Sequence, residues 1–249
     1  MKKLTKRMSA LKAGLGDIGL LAKPRALKDA IGFLKNLAGA PKFDESMEIA
    51  VVLGVDPKKS DQQVRGMASL PNGTGKKVSV AVFTGDEGAA GLAGADYSNK
   101  DEILEMIGKG NFAFDKLIVT RDQMTAFTKL GLSKSLGPRG LMPNPKTGTV
   151  VELSELTAGI KGLKTGQIEF KLNKGMKSAE NRPLRTASLA AGIGKRSFTV
   201  EQIEQNVDAF LQALVKARPQ TAKGHYLQKA YLSTTMGPSV AIDISSFNA

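Results

Sequence analysis

The apolar positions of this chain change period as it runs. Leu27, Ile31, Leu34 and Leu37 recur at helical spacing, with Pro24 ahead and Gly39 behind, so KPRALKDAIGFLKNLAG is predicted as a helix. SMEIAVVLGV then reads as a strand. From Thr74 to Gly166 short buried-type strands alternate with helices. KVSVAVFTG and FDKLIVTR are the strands, with a smaller candidate at GADY. NKDEILEMIGKG, DQMTAFTKLG and ELSELTAGIKGL are the helices, and Ile103, Met106 and Ile107 mark the apolar side of the first. That alternation predicts a small parallel α/β domain. From Gln167 longer strands return in QIEFKLN and TASLAAGIG. SFTVEQIEQNVDAFLQALVKA is the clearest helix, with Ile203, Val207, Phe210, Leu211 and Leu214 as its stripe and Thr199 with Gln202 as a capping box. GHYLQKAYLSTT and SVAIDIS close the chain as strands around MGP.

Helices with an antiparallel or mixed sheet at both ends, and α/β grammar between them, predict one domain inserted into another. The expected segments are 1–73 and 167–249 for an α+β outer domain and 74–166 for the inserted one. Charge separates them too. The chain carries a net charge of +13; segment 74–166 holds 12 Lys+Arg and 10 Asp+Glu, leaving 24 and 13 at the ends, or +2 against +11. Excess cation on the outer domain points to a polyanion there, and nucleic acid fits better than a membrane surface, because no basic helix with an aromatic face is present and the chain has no Trp. The first residues, MKKLTKRMSALKAG, lack a continuous apolar run. They have the basic, acid-free composition of an organellar transit peptide, but with Leu4, Met8 and Leu11 at helical spacing they read rather as a basic arm of a soluble, non-secreted protein.

The absence of cysteine removes disulfides, thiolate metal sites and cysteine nucleophiles, and the single histidine, His225, lies in a strand-like stretch. No cofactor, metal or small-molecule substrate is expected. PNGTGKKVSV imitates a phosphate loop but has Leu70 where a glycine is needed and Lys77 where Ser or Thr is needed, and it leads into a strand. The acidic clusters FDESME and GDEG read as solvated turns or helix caps. LSTTMGP, Leu232 to Pro238, offers hydroxyls, a polarizable Met236 and a Gly237 that admits close backbone approach. That mixture suits sugar hydroxyls and phosphates of folded RNA, and equally a Gly-Pro hairpin turn. Lys42 beside Phe43 pairs a cation with an aromatic, suited to a phosphate and a base, while Phe43 equally suits a core anchor before the strand.

LGPRGLMPNPKTGTV, KFDESMEIAVVLGVDPKKSDQQVRG, LPNGTGK, GADY, FDKLIVT, TGQIEF and LSTTMGPSVAID occur in this order over most of the chain. Together they resemble the L-one family of ribosomal proteins, which form the mobile stalk of the large subunit. The resemblance implies an α+β outer domain built from both chain ends with an inserted Rossmann-like α/β middle domain, and no enzymatic activity. It implies binding to large-subunit rRNA, assistance to exit-site tRNA as it moves and leaves, repression of translation through the protein's own mRNA, and a monomer within the ribosome. That ribosome would be cytoplasmic in a bacterium, or that of a mitochondrion or plastid. Carried over by motif, the RNA face comprises Lys42, Phe43, Ser46 and Glu48, then Glu169, Lys171, Asn173 and Lys174, and finally Ser233, Thr235, Met236, Gly237 and Pro238. Lys6 and Arg7, and Arg139 and Lys146 of the Gly/Pro-rich loop, are secondary RNA contacts; the loop itself is expected to form a rigid turn near the hinge. The chain departs from the pattern after IEF, where Leu172 replaces a polar residue and a longer run adds Lys177, Arg182 and Arg185. An alternative from a different class is an enzyme holding a nucleotide on the middle domain. Its best turn, FTGDEGAAG, sets Asp86 and Glu87 against a pyrophosphate.

Overall fold

Strand-forming runs from distant parts of the chain pair into three sheets, and amphipathic helices cover them. The computed structural model describes residues 23–37, 41–173, 187–222 and 224–247. In chain order the regular elements are α1 (Leu27–Lys35), β1 (Ser46–Leu53), β2 (Arg65–Ser69), β3 (Val80–Phe83), α2 (Glu87–Leu92), α3 (Lys100–Gly108) and β4 (Lys116–Thr120). There follow α4 (Met124–Lys129), α5 (Ser133–Leu136), β5 (Val150–Val151), α6 (Leu156–Thr165), β6 (Gln167–Lys171), β7 (Ala187–Lys195), α7 (Val200–Lys216), β8 (Leu227–Thr234) and β9 (Ser239–Ile242). The described residues up to Gly75 and from Ile168 onward make one compact unit, and Lys76–Gln167 make another.

In the first unit the sheet order is β7-β1-β8-β9, antiparallel throughout. Met47, Ile49, Val51 and Leu53 alternate inward along β1, which is what a strand with one buried face requires. Beneath it lie Ile31 and Leu34 of α1 and Ile203, Val207, Phe210, Leu211 and Leu214 of α7, all buried. α7 begins at the expected capping box: Gln202 N–H donates to Thr199 Oγ1 at 3.2 Å and Thr199 N–H to Gln202 Oε1 at 2.9 Å. A polar residue, Asn206, shares that buried stripe. Its side chain accepts from Asn72 N–H at 3.0 Å and donates to the carbonyls of Gly73 and Ile193 at 2.9 and 2.7 Å. The LPNGTGK stretch is therefore a turn clamped onto α7 through Asn206.

A separate two-stranded ribbon joins β2 to β6. β2 carries no alternating apolar pattern, with burial concentrated at Ala68, which is why the sequence did not announce it. Phe170 of β6 reaches the core and meets Phe210 edge-on at 5.9 Å. Leu172 is buried in the same core, and its N–H donates to Val64 O at 3.0 Å.

In the second unit β3, β4 and β5 form a parallel sheet in that order. All four residues of β3 are buried, as expected of a strand covered on both faces. α3 is capped by Asn99, whose Oδ1 accepts from Asp101 and Glu102 N–H at 2.9 and 3.3 Å. Phe83 and Phe127 pack edge-on at 5.2 Å within the core. The GADY strand reduces to a single bridge between Tyr97 and Ala81, and the two-residue β5 is too short for its pattern to be read. The protein is thus a mixed α/β fold with several sheets.

Candidate nucleic-acid interface

Alternation along β1 sends Ser46, Glu48, Ala50 and Val52 to the face opposite the core, where Glu48 is exposed and the other three are half-buried. Cross-strand register extends each into a row. Ser46 lies opposite Lys195 of β7 and beside Thr235, which follows β8; Glu48 lies between Gly192 and Ser233; Ala50 lies between Ala190 and Tyr231. Ser233 in turn faces Ser239. The Ser46–Glu48 end of this floor is polar, while the Ala50 row, with Ala190 and Tyr231, is apolar.

Ser46 and Thr235, far apart in sequence, are locked together. Thr235 N–H donates to Ser46 O and Ser46 N–H to Thr235 Oγ1, each at 3.0 Å. The segment before Ser46 is held as firmly. Ser197 donates through N–H at 3.1 Å and Oγ at 2.8 Å to the Asp44 carboxylate. Arg196 Nη1 donates to Glu45 at 2.7 Å, and its Nη2 to the carbonyls of Lys35 and Leu37 at 2.6 and 3.3 Å. Glu45 is buried, which corrects the expectation that FDESME is a solvated acidic turn. Arg196 compensates the charge, and a buried carboxylate persists only with such a partner. With Asp44 and Glu45 turned to these anchors, Lys42 and Phe43 are left outward. Phe43 is 55% exposed, so it is not a core anchor.

The other side of the rim is the turn Thr234–Gly237, closed by Gly237 N–H to Thr234 O at 2.8 Å. Met236 occupies its third position with φ 58°, in the left-handed region, and is 79% exposed. Glycine or asparagine ordinarily takes that place, and another residue with a Cβ there costs about 1–2 kcal/mol. Gly237 is required by contact instead, since a Cβ there would lie 2.1 Å from Thr234 Oγ1. Pro238 follows, half-buried. Lys42, Phe43, Ser46, Glu48, Ser233, Thr235, Met236, Gly237 and Pro238 are thus drawn to one end of one sheet.

The β6 group lies elsewhere. Glu169 sits on the two-stranded ribbon, where Arg65 reaches one of its oxygens through Nε at 3.0 Å and Nη2 at 2.8 Å. Lys171 and Asn173 are exposed, and Asn173 N–H donates to Ser188 O at 3.0 Å. Ser188 pairs with Val52, six residues along β1 from Ser46, which at strand rise is about 20 Å away. Lys6, Arg7 and Lys174 lie outside the described residues, as do the extension with Lys177, Arg182 and Arg185 and the side chain of Lys146.

In the second unit Leu136–Val150 folds upon itself. Thr149 Oγ1 accepts from Asn144 N–H at 2.8 Å, and Thr147 Oγ1 donates to Asn144 O at 3.0 Å. Arg139 stacks 4.0 Å over the Phe112 ring. The nucleotide-turn reading fails at α2, because Asp86 accepts from Ala89 N–H at 3.0 Å and fills with a carboxylate the place a phosphate would need. Among the described residues no helix is long and apolar enough to cross a membrane, and no group of His, Asp or Glu is arranged to hold a metal.

A family profile described as the ribosomal protein L1p/L10e family matches residues 34–238. The chain belongs to that family. Its members are structural ribosomal components, so the chain is not an enzyme. The large ribosomal subunit protein uL1 of Mannheimia succiniciproducens is 47% identical over 248 residues, covering 99% of this chain and all of that protein. The corresponding protein of Haemophilus influenzae is 45% identical over the same share of each, and that of Alkalilimnicola ehrlichii 44% over 99% of both. The family match spans both halves of the sheet end, from Lys42 to Pro238.

Two features of this end were missed from sequence. Lys195 stands opposite Ser46, and Arg196 holds the segment that carries Phe43. The signal was available in GKRS, a basic pair flanked by small residues at the close of a strand. Nothing local said which distant strand it would meet.

Proposed function

We propose that the chain is a structural constituent of the large ribosomal subunit, as its uL1 relatives are named, and that it binds large-subunit rRNA through the outward end of the four-stranded sheet. Segments 1–73 and 167–249 would be the RNA-binding domain and 74–166 an inserted Rossmann-like domain. The chain would act, as one copy per ribosome, in the mobile stalk that assists movement and release of exit-site tRNA, with Arg139 and Lys146 as the cations available to that tRNA. The same sheet end would repress translation when it meets a similar shape in the protein's own mRNA. Bacterial relatives support a bacterial cytoplasmic ribosome.

The observation that carries this reading is Met236. A strained backbone is retained to hold a long apolar side chain in water, beside Phe43's end of the sheet and the bonded pair Ser46–Thr235. Strain and exposed apolar surface both cost stability, and a partner that packs on them offsets the cost. Lysines would neutralise phosphates, Ser46, Ser233 and Thr235 would meet sugar and base edges, and Glu48 would accept from a base amine or a 2′-hydroxyl.

Met236→Gly is the test. Glycine relieves the left-handed φ, so stability to urea should stay level or rise by up to about 1 kcal/mol. Affinity for a large-subunit rRNA transcript should fall about tenfold, the scale of one lost packing contact on a nucleotide face. Binding by the unaltered protein should weaken steeply as salt rises. Full affinity in the glycine variant removes this turn from the RNA site.

A further inference from the structure

Lys195 ends β7 at the rim of the sheet, and its environment is built around it. Ser46 and Lys195 are directly opposed in the β1–β7 ladder, so their side chains share the outward face. Lys195 Nζ donates to Ser46 Oγ at 3.0 Å. Its stem runs past Gly75, where a Cβ would come within 2.8 Å of Lys195 Cγ and 3.1 Å of the Phe198 ring. A glycine at 75 therefore leaves the channel in which the stem lies. Beyond Lys195 the ladder continues as Arg196 with Glu45 and Ser197 with Asp44. Three successive residues of one segment thus grip three successive residues of the other.

The three pairs differ in how they end. Arg196 spends its guanidinium on a buried carboxylate and two carbonyls, and Ser197 is spent on Asp44. The Lys195 ammonium has one neutral hydroxyl partner and, among the described residues, no carboxylate. An ammonium has three donors, and among the described residues this bond to Ser46 engages one of them. A cation held along its stem, with no carboxylate paired to it among the described residues and standing in one row with Ser46 and Thr235, matches a single phosphate of an approaching nucleic acid.

We infer that Lys195 is a phosphate-binding residue of the RNA site, held in place by Ser46 and gripping the backbone of the nucleotide that lies over the Ser46–Thr235 pair. The inference rests on the proposed RNA-binding reading and adds to it the central cation. Lys42, which is exposed on a loop, gives diffuse attraction, whereas Lys195 gives a fixed contact. That contact also orients Ser46, because the hydroxyl that accepts from the ammonium turns its own hydrogen toward the partner.

The experiment measures binding to the shortest large-subunit rRNA transcript protected by the unaltered protein, over a series of salt concentrations. Lys195→Met keeps the stem in the channel and removes the charge; Lys195→Arg restores charge. The methionine variant should lose about tenfold in affinity, and its slope of log affinity against log salt should be shallower by about one unit. The arginine variant should recover the slope. A methionine variant with weaker binding but unchanged slope makes Lys195 a structural support of Ser46 and overturns the inference. Unchanged affinity and slope overturn it as well, while leaving the RNA reading intact. If the unaltered protein itself shows no salt-sensitive binding, the RNA reading falls and the inference with it.

Discussion

Tyr226 buries a hydroxyl that finds no hydrogen-bond partner among the described residues, although only 4% of the residue is exposed. Burial pushes its phenol up to about 12, against a smaller opposite pull from Arg218. The folded chain therefore prefers the neutral phenol, while the unfolded chain ionises near 10. This contribution is fully present below pH 10 and is lost as pH climbs toward 12; two pH units correspond to about 3 kcal/mol. Tyr226→Phe should be level with the natural chain or up to about 1 kcal/mol more stable at neutral pH, since it deletes an unpaired buried hydroxyl. It should also flatten the alkaline loss in urea midpoints between pH 10 and 12. A phenylalanine variant with the same alkaline loss would place that loss on other groups. Glu45 and Tyr226 mark the limit of local reading at this scale, because burial of a carboxylate or phenol depends on what arrives from elsewhere in the chain.

α7 illustrates how an element carries more than its own stripe. Its capping box and its apolar face were legible, because both depend on residues within a few positions of each other. Asn206 broke the apolar stripe, and that break was the available sign of a buried polar duty. The structure supplies the duty, a side chain that satisfies Asn72, Gly73 and Ile193 at once. Asn206→Ala leaves one buried backbone group, Ile193 O, and two half-buried ones, Asn72 N–H and Gly73 O, without this partner, and should cost about 2 kcal/mol, because water can reach the half-buried pair. Urea denaturation measures the loss, and hydrogen exchange should quicken at Asn72. If exchange there is unchanged, the clamp on this turn is not Asn206. Because Ile193 is the extra residue where β7 bulges against Met47 and Glu48, the same asparagine supports the strand end that delivers Lys195.

At the scale of the molecule the two compact units carry different electrostatics. Asp96 in the second unit is held below the usual carboxylate value, chiefly by its hydrogen bond from Lys164 and then by Val80 N–H. Asp115 is lowered chiefly by Lys76, with burial opposing. Both folded values lie below the ordinary 3.8. The stability they contribute is therefore present above that pH and is lost as pH falls through the lower folded values. Water screens both pairs, so the loss is modest. Protection factors for hydrogen exchange across 76–167 should drop on acidification below about pH 4, and Asp96→Asn with Asp115→Asn should remove the drop. Equal drops in the natural and doubly substituted chains would assign it to other carboxylates.

The sequence alone determined the helices and strands whose period is local, the cationic excess of +11 outside 74–166, and the lack of catalytic cysteine. It also carried the fragments that lead to the family. Only the tertiary structure decided which of the nominated side chains meet. Ser46 joins Thr235 and Lys195, whereas Glu169 turns to Arg65 on another ribbon. Side-chain alternation is written into each strand, but the register between strands is set by the core beneath them, where α1 and α7 fix how β1, β7 and β8 lie. A surface assembled from three strands far apart in the chain therefore comes into being when that core closes.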